Sequence, residues 1–259
     1  MPIPTITGST FNFAGEYFPP AWDDTHLYTF GSIFPNVRQI WADNNYVFAA
    51  CAEGLNIIDI ASEEQYSFVT YSGGFTTVWA NEDRVFLGTH TNGIKYIDKS
   101  YIIGDISLPP ELTCLSGYAT TPRLRSNEVR YIHGHGDLIV CCTASGVQTL
   151  GIYGYESETL TPDAWKCFMT SSTAIYYTTS GTTWVVNKVL YGQCDWVTPS
   201  TTYSADGYSA ILLGAQINDI FITEGTSSGT NLNTIFIATT SGVCIIDEGT
   251  NDSVIYLIE

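Results

Sequence analysis

Short runs of alternating apolar and polar residues follow one another along most of the chain. In its first part these runs are 37–41, 46–50 and 55–58, with a fourth candidate at 66–71. Each run has the two-residue period and the length expected of a half-buried strand, and turn-forming residues separate the runs. The nearest helical candidate, 62–65, is too short to form a stable helix. The pattern therefore predicts a chain that is nearly all β.

A short sequence motif recurs at the turn between the second and third runs of each set of about four runs. A small polar pair and a glycine separate two apolar runs, and an Asp often closes the second run. Clear copies lie at 52–59, 91–98 and 240–247, and weaker copies centre on Gly146 and Gly181. The tight turn predicts a positive φ at the glycine. The closing Asp is expected to accept hydrogen bonds from turn amides.

The spacing of these copies predicts the fold. Successive glycines lie 35 to 61 residues apart, around the length of a propeller repeat. About four strands per group is the pattern of a propeller blade. We therefore predict an all-β fold, a five-bladed β-propeller at 35–259, with six blades as the alternative count. Residues 1–34 are predicted to be a lead-in of the same domain, whose strand at 26–30 pairs with the last blade and closes the ring.

Extra residues lengthen three connections, at about 105–127, 195–216 and 223–231. The first two would join the outermost strand of one blade to the innermost strand of the next, on the face that carries the glycine turns. The third would lie on the opposite face. Insertions gathered on one face of a repeat array often mark its binding face.

Charge narrows the classes of partner. The 259 residues include 9 Lys and Arg against 26 Asp and Glu, a net charge of −17. Nucleic acid and anionic membranes are therefore excluded as partners, because both require a basic footprint. No apolar stretch reaches the ~20 residues needed to cross a bilayer, and no secretory signal begins the sequence. These features predict a virion or cytoplasmic assembly as the location.

Seven cysteines are spaced irregularly, and five of them fall in predicted strands. We expect these five to be buried free thiols that pack as small apolar groups. No Cys-x-x-Cys pair indicates zinc or redox chemistry, and no cofactor is predicted.

The segment 77–94 reads Thr-Val-Trp-Ala-Asn-Glu-Asp-Arg-Val-Phe-Leu-Gly-Thr-His-Thr-Asn-Gly-Ile. It resembles the repeat of two-component-regulator-type propellers, in which an aromatic-glycine-threonine run precedes Gly-Leu and a closing Asp. The copies at Gly54 and Gly242 look similar but lack this Gly-Thr pair. The resemblance covers most of 35–259 and implies the blade, not a function. A second resemblance is compositional: 17 Tyr, abundant Thr and Ser, and few Lys are similar to structural proteins of bacteriophage virions.

Candidate catalytic and metal-binding residues are few. The motif at 133–137, His-Gly-His-Gly-Asp, could place two imidazoles on one strand face for a metal, but its alignment with 80–83 favours a turn. Acidic turn residues could attract Ca²⁺ but lack the spacing of a calcium loop; they are Asp43, Glu82, Asp83, Asp137 and Glu224. A glycosidase would need two or three axial carboxylates, and the predicted innermost strands supply Asp219 alone. We therefore predict no catalytic residue, no metal and no enzymatic activity.

Three arginines stand out in this acidic chain, namely Arg123, Arg125 and Arg130, within or beside the first long connection. They could dock an acidic surface of another subunit, since Arg binds carboxylates in bidentate fashion. The alternative is an internal salt bridge to Glu111 or Glu128, and the sequence does not decide between these two hypotheses.

Aromatic residues recur in or just after each predicted innermost strand. Most should pack between blades, although a ring that faces the open end could stack on a sugar. They are Trp41, Trp79, Tyr131, Trp165 and Phe221.

The expected function is a non-catalytic structural or protein-interaction propeller, with other subunits of a virion or similar assembly as partners. The alternative is a carbohydrate-binding propeller with a glycan ligand, and a glycoside-active enzyme ranks third.

Overall fold

The computed structural model describes fourteen segments of the chain. They are residues 5–7, 10–12, 34–62, 65–103, 113–114, 124, 126–151, 164–171, 174–180, 184–190, 201–204, 215–224, 233–248 and 253–257. The predicted closing strand at 26–30 lies outside these residues, as do Arg123 and Arg125.

The described residues form a small hairpin and five larger antiparallel sheets. The hairpin pairs β1 (Thr5–Thr7) with β2 (Thr10–Asn12). Sheet I contains β3 (Val37–Ala42), β4 (Tyr46–Cys51), β5 (Gly54–Asp59) and β6 (Gln65–Thr70). Sheet II contains β7 (Thr77–Ala80), β8 (Arg84–Gly88), β9 (Ile94–Asp98) and β10 (Thr113–Cys114). A single helical turn, α1 (Ser100–Ile103), follows β9.

The second half of the chain repeats the plan. Sheet III contains β11 (Val129–His135), β12 (Leu138–Thr143) and β13 (Gly146–Gly151). Sheet IV contains β14 (Ala164–Met169), β15 (Ala174–Ser180), β16 (Trp184–Leu190) and β17 (Thr201–Ser204). Sheet V contains β18 (Ile217–Thr223), β19 (Thr234–Thr239), β20 (Gly242–Asp247) and β21 (Ser253–Leu257).

Each sheet adds its strands in sequence order, and the first strands of consecutive sheets lie against one another. Contacts run from β3 to β7, from β7 to β11, from β11 to β14 and from β14 to β18. The first strands therefore lie innermost. This architecture confirms the predicted all-β, propeller-type fold. The count of five blades and the closure of the ring by 26–30 stay predictions, as does the division into 1–34 and 35–259.

Apolar side chains lie between consecutive sheets, so sheets II, III and IV are covered on both faces. Four clusters fill the four interfaces from sheet I to sheet V. In sheet II, Leu87 packs towards sheet I whereas Phe86, next to it on β8, packs towards sheet III. Burying one such side chain contributes about 1.5–3 kcal/mol. The five predicted strand cysteines are all buried and unbridged, as expected. Burial raises the pKa of the Cys51 and Cys244 thiols to about 11.

The recurring glycine turn depends on a partner that the sequence reading missed. In three sheets a buried Thr at or directly after the end of the second strand donates its hydroxyl to the carbonyl of the glycine. The pairs are Thr89–Gly93 at 2.8 Å, Thr143–Gly146 at 3.0 Å and Thr239–Gly242 at 2.9 Å. Gly93 has a φ of 68°, which confirms the predicted left-handed backbone there. Asp59 also behaves as predicted, since its carboxylate accepts bonds from the amides of Ala61 and Ser62.

Candidate functional site

Two cavities open at opposite ends of the innermost strands. The first has a volume of about 940 Å³ and is lined by all five first strands near their C-terminal ends and by two of the turns that follow them. The second has a volume of about 560 Å³ and is lined near the strand starts, by the 71–74 connection and by the 89–91 turn. The connections and glycine turns therefore share one face, as the sequence reading expected.

The first cavity, which we call the acidic mouth, has five carboxylates in its lining and no Lys or Arg among the described residues. The five are Glu82, Asp83, Asp137, Asp219 and Glu224. The second cavity, which we call the basic mouth, is lined by Arg38, Arg130 and Lys166 with one carboxylate, Glu128. Opposite charges therefore occupy the two ends of the axis.

An aromatic layer lines the acidic mouth, with one ring from each first strand. The aromatic layer consists of Trp41, Trp79, His133, Phe168 and Phe221. Ring centroids lie 6.3 Å apart for Trp41 and Trp79, and 6.5 Å apart for Trp79 and His133. They lie 4.0 Å apart for His133 and Phe168, and 5.6 Å apart for Phe168 and Phe221. The rings thus follow one another from sheet to sheet.

His133 is the polar member of this layer and is only 6% exposed. Its Nδ1 accepts a hydrogen bond from the Met169 amide at 3.2 Å, so the neutral ring carries its proton on Nε2. Burial, helped by His135, lowers the pKa of His133 to about 3. At neutral pH the ring is therefore an uncharged donor.

Three N–H groups of the aromatic layer find no acceptor among the described residues. Within the described part of the chain, Nε2 of His133 and the Nε1 atoms of Trp41 and Trp79 are buried without a hydrogen-bond partner. The ring of Trp41 meets that of His133 edge to face, with 5.2 Å between their centroids. An unpaired buried donor costs about 1–3 kcal/mol, so three in one cluster require an explanation.

Gly134 lets Trp79 lie against the backbone of β11. A Cβ at this position would lie 2.7 Å from Cη2 of Trp79 and 2.5 Å from the carbonyl oxygen of Leu138. A side chain on residue 134 would therefore displace the indole or open the turn. The glycine was predicted for the turn itself, but the turn lies two positions later, at Gly136 and Asp137.

A polar layer lies one pleat further along the axis. Its members precede the aromatic layer by two residues on each strand and are Gln39, Thr77, Tyr131, Lys166 and Asp219. Thr77 donates to Gln39 and accepts from the amide of Ile132 at 2.9 Å. Lys166 Nζ lies 4.3 Å from the centroid of the Tyr131 ring and 3.9 Å from Asp219 Oδ1. Burial, reinforced by the Asp219 carboxylate, raises the pKa of Tyr131 well above its usual range. This layer joins consecutive sheets.

At the basic mouth, Arg130 is held on several sides. Its Nε lies 3.0 Å from Glu128 Oε1, and its guanidinium lies 4.0 Å from the centroid of the Trp165 ring. The ion pair with Glu128 is the internal alternative that the sequence left open. Arg38 is exposed and donates to the Phe75 carbonyl at 3.2 Å, with no carboxylate partner in the described chain. Trp165 is 37% exposed, and its N–H donates to Ser180 at 3.1 Å.

The aromatic layer corrects part of the prediction for the aromatic residues of the innermost strands. Trp41, Trp79 and Phe221 belong to it as the pattern suggested, but sheets III and IV contribute His133 and Phe168 instead of Tyr131 and Trp165. Register identifies them. Trp41, Trp79 and His133 each lie opposite the residue seven positions later, namely Phe48, Phe86 and Val140. Counting back from the turn, rather than searching for large rings, would have found His133.

The candidate metal ligands are not assembled into a site. His133 and His135 both belong to β11, and His135 is exposed. The acidic turn residue Asp43 accepts from the amides of Asn45 and Tyr46 at 2.8 Å. Within the described segments, no group of three or more His, Cys, Asp and Glu side chains could hold a metal ion. No helix of these segments is long and apolar enough to span a membrane.

Comparison with solved structures shows similarity of fold. The extracellular domain of a putative hybrid two component system from B. thetaiotaomicron superposes with a TM-score of 0.61 at 16% identity, over 86% of this chain and 29% of that chain. PorZ, a surface component of the type-IX secretion system of Porphyromonas gingivalis, gives 0.54 at 16% identity, over 87% and 26%. A chain of a mitotic checkpoint complex gives 0.60 at 12% identity, over 84% and 64%.

These matches agree with the resemblance to two-component-regulator-type blades at the level of the propeller-type fold. The chain spans less than a third of the length of the two bacterial chains. No protein-family description and no curated protein sequence matches it. None of the three structures is described as a virion component, so the virion origin stays a prediction from composition.

Proposed function

We propose that this chain is a non-catalytic interaction propeller that docks an acidic segment of a protein partner at its basic mouth. The observation that carries the proposal is the convergence of Arg38, Arg130 and Lys166 on one 560 Å³ cavity. The chain has only 9 Lys and Arg and a net charge of −17, so three cations at one opening form a local exception.

The three cations differ in availability. Arg130 and Lys166 already have carboxylates nearby, at 3.0 Å and 3.9 Å, and their side chains are largely buried. Arg38 is exposed and, among the described residues, donates to a backbone carbonyl. An incoming carboxylate therefore gains most from Arg38, whose guanidinium can bind it in bidentate fashion. Trp165, exposed beside Arg130, adds an apolar surface for the rest of the segment.

Two further features support this function. The basic mouth lies on the face of the 71–74 connection and the glycine turns, where the first two long insertions are expected to emerge. The carboxylate that the first strands contribute to the axis, Asp219, faces Lys166 and Tyr131 in the polar layer, an arrangement that favours structure over acid–base catalysis.

The test is binding of a fluorescein-labelled hexaglutamate peptide, followed by anisotropy at low and high salt. The wild-type chain should bind in spite of its negative charge, and salt should weaken binding because the attraction is screened. Arg38→Glu should lower the affinity at least tenfold, roughly 1.4 kcal/mol. Lys95→Glu is the matched control, because it makes the same charge change on β9 away from both mouths.

Equal losses in both variants would mean that net charge alone governs binding, and the proposal would be withdrawn. Absence of binding to the wild-type chain would have the same consequence.

A further inference from the structure

We propose that the acidic mouth is a binding site for a neutral carbohydrate, whose oxygen atoms accept hydrogen bonds from Trp41, Trp79 and His133. This site lies at the opposite end of the axis from the basic mouth and does not depend on the function proposed there.

The inference begins with the three buried N–H groups. They belong to neighbouring residues that line one cavity, and no described residue accepts from them. Buried polar groups are paired in the great majority of cases, so a cluster of three donors unpaired within the described residues indicates acceptors from outside those residues, which a bound ligand would supply. An acceptor must enter between the rings to reach them, because all three nitrogens are enclosed.

The charges around the cavity select the class of ligand. Carboxylates of Glu82, Asp83 and Asp137 line the opening and repel an anion. The three enclosed N–H groups need acceptor atoms, which a bare cation lacks. A neutral ligand that carries oxygen atoms satisfies both ends. Hydroxyl groups fit best, because each can donate to a carboxylate and accept from an N–H group.

The rings around the cavity support the same class. Phe221 is 56% exposed and Ile40 is 58% exposed, and both line this cavity. Pyranose rings have apolar faces formed by their C–H groups, and such faces pack on aromatic side chains in otherwise polar sites. The volume of about 940 Å³ falls within the range of ligand pockets and accommodates a sugar.

An ordered water is the competing occupant, since buried waters typically satisfy orphaned polar groups. The water accounts for the donors but not for the exposed apolar side chains of Ile40 and Phe221 in the cavity lining. Water and a sugar can be distinguished by experiment, because only a sugar site gives a saturable response to added sugar.

The test uses two sugars of different charge, N-acetylglucosamine and glucuronic acid. Tryptophan fluorescence should change saturably with N-acetylglucosamine, because the acceptor enters between Trp41 and Trp79. Glucuronic acid should bind at least tenfold more weakly, because the carboxylates at the opening repel it. A larger panel of neutral hexoses would then define the preferred ring.

Single-site replacement of Trp41 or Trp79 by the benzothiophene isostere of tryptophan removes the N–H and keeps the ring. Loss of one neutral hydrogen bond should weaken binding about three- to tenfold. The same replacement at Trp165 is the matched control, because its N–H already donates to Ser180 at the other mouth. Binding there should be unchanged.

Three results would overturn the proposal. These are no saturable response to any neutral sugar, equal binding of N-acetylglucosamine and glucuronic acid, or unaltered affinity in both isosteres at positions 41 and 79. A crystal grown with sugar that shows ordered water alone on the three nitrogens would also overturn it. None of these outcomes affects hexaglutamate binding, so the two sites can fail separately.

Discussion

The two ends of the axis are built from the same strands but treat their polar groups differently. At the basic mouth, Arg130, Lys166 and Trp165 all have partners within the chain. At the acidic mouth, three N–H groups have none among the described residues. The paired groups and the exposed Arg38 are stable without a ligand, whereas unpaired buried donors carry a cost that a ligand can remove. Charge therefore identifies the basic mouth as a candidate site for an acidic ligand, whereas unpaired donors identify the acidic mouth as a candidate site for a ligand with acceptor atoms.

The largest expected effect breaks the aromatic layer at its backbone. Gly134→Ala places a Cβ against the Leu138 carbonyl and the Trp79 ring, and we expect a loss of about 3 kcal/mol in the free energy of unfolding. Urea denaturation measures it. Gly136→Asn is the control: residue 136 has a φ of 55°, which Asn tolerates, and a Cβ there meets nothing within 4 Å. Equal stability of Gly134→Ala and wild type would contradict the close approach.

The next effect uses the acid sensitivity of His133. Its pKa is lowered from 6.5 to about 3 by burial, so the unfolded chain binds the proton more readily than the folded chain. The stabilisation is therefore complete above pH 6.5 and is lost as the pH falls towards 3. Between pH 6.5 and pH 4 the loss should be about 3 kcal/mol.

Denaturation of wild type and His133→Phe across this pH range isolates the effect, because the carboxylates titrate in both proteins. His90→Gln, which removes an exposed histidine at the basic mouth, should keep the wild-type slope. If His133→Phe also kept that slope, the burial of the neutral ring would be wrong.

Much of this fold could be predicted from the sequence, because strand period and repeat spacing are local properties. The run 217–222, for example, alternates as β18 does. The acidic mouth could not be predicted in the same way. His133 looked like part of a turn with His135, and only the pairing of His133 with Val140 places it level with Trp41 and Trp79. The acidic mouth is a candidate site because three N–H groups lack acceptors among the described residues, and this depends on how side chains pack between sheets.

Bulges in the first strands made it difficult to predict from the sequence which of their side chains share a face. In sheets I, III and V the register shifts between Val37 and Gln39, between Val129 and Tyr131, and between Ile217 and Asp219. A shift near the start of a strand changes the side chains that share a face with the strand end. Arg130 therefore lies at the basic mouth and Tyr131 in the polar layer, although the two are adjacent in sequence.

The smallest expected effect compares the two mouths most directly. Replacing Trp41 or Trp79 by its benzothiophene isostere removes an unpaired buried donor, so the free energy of unfolding without ligand should rise by about 1 kcal/mol. The same change at Trp165 removes a donor that has a partner and should lower it by about 0.5 kcal/mol. Effects of opposite sign from the same replacement, measured by urea denaturation, would distinguish indole N–H groups without an acceptor from one that has an acceptor.

A loss at all three positions would mean that the indoles of Trp41 and Trp79 are satisfied in solution, by water or by the chain, and the contrast between the two ends would disappear. A gain at Trp41 and Trp79 together with a loss of sugar affinity would show stability given up for binding, as is common at functional sites.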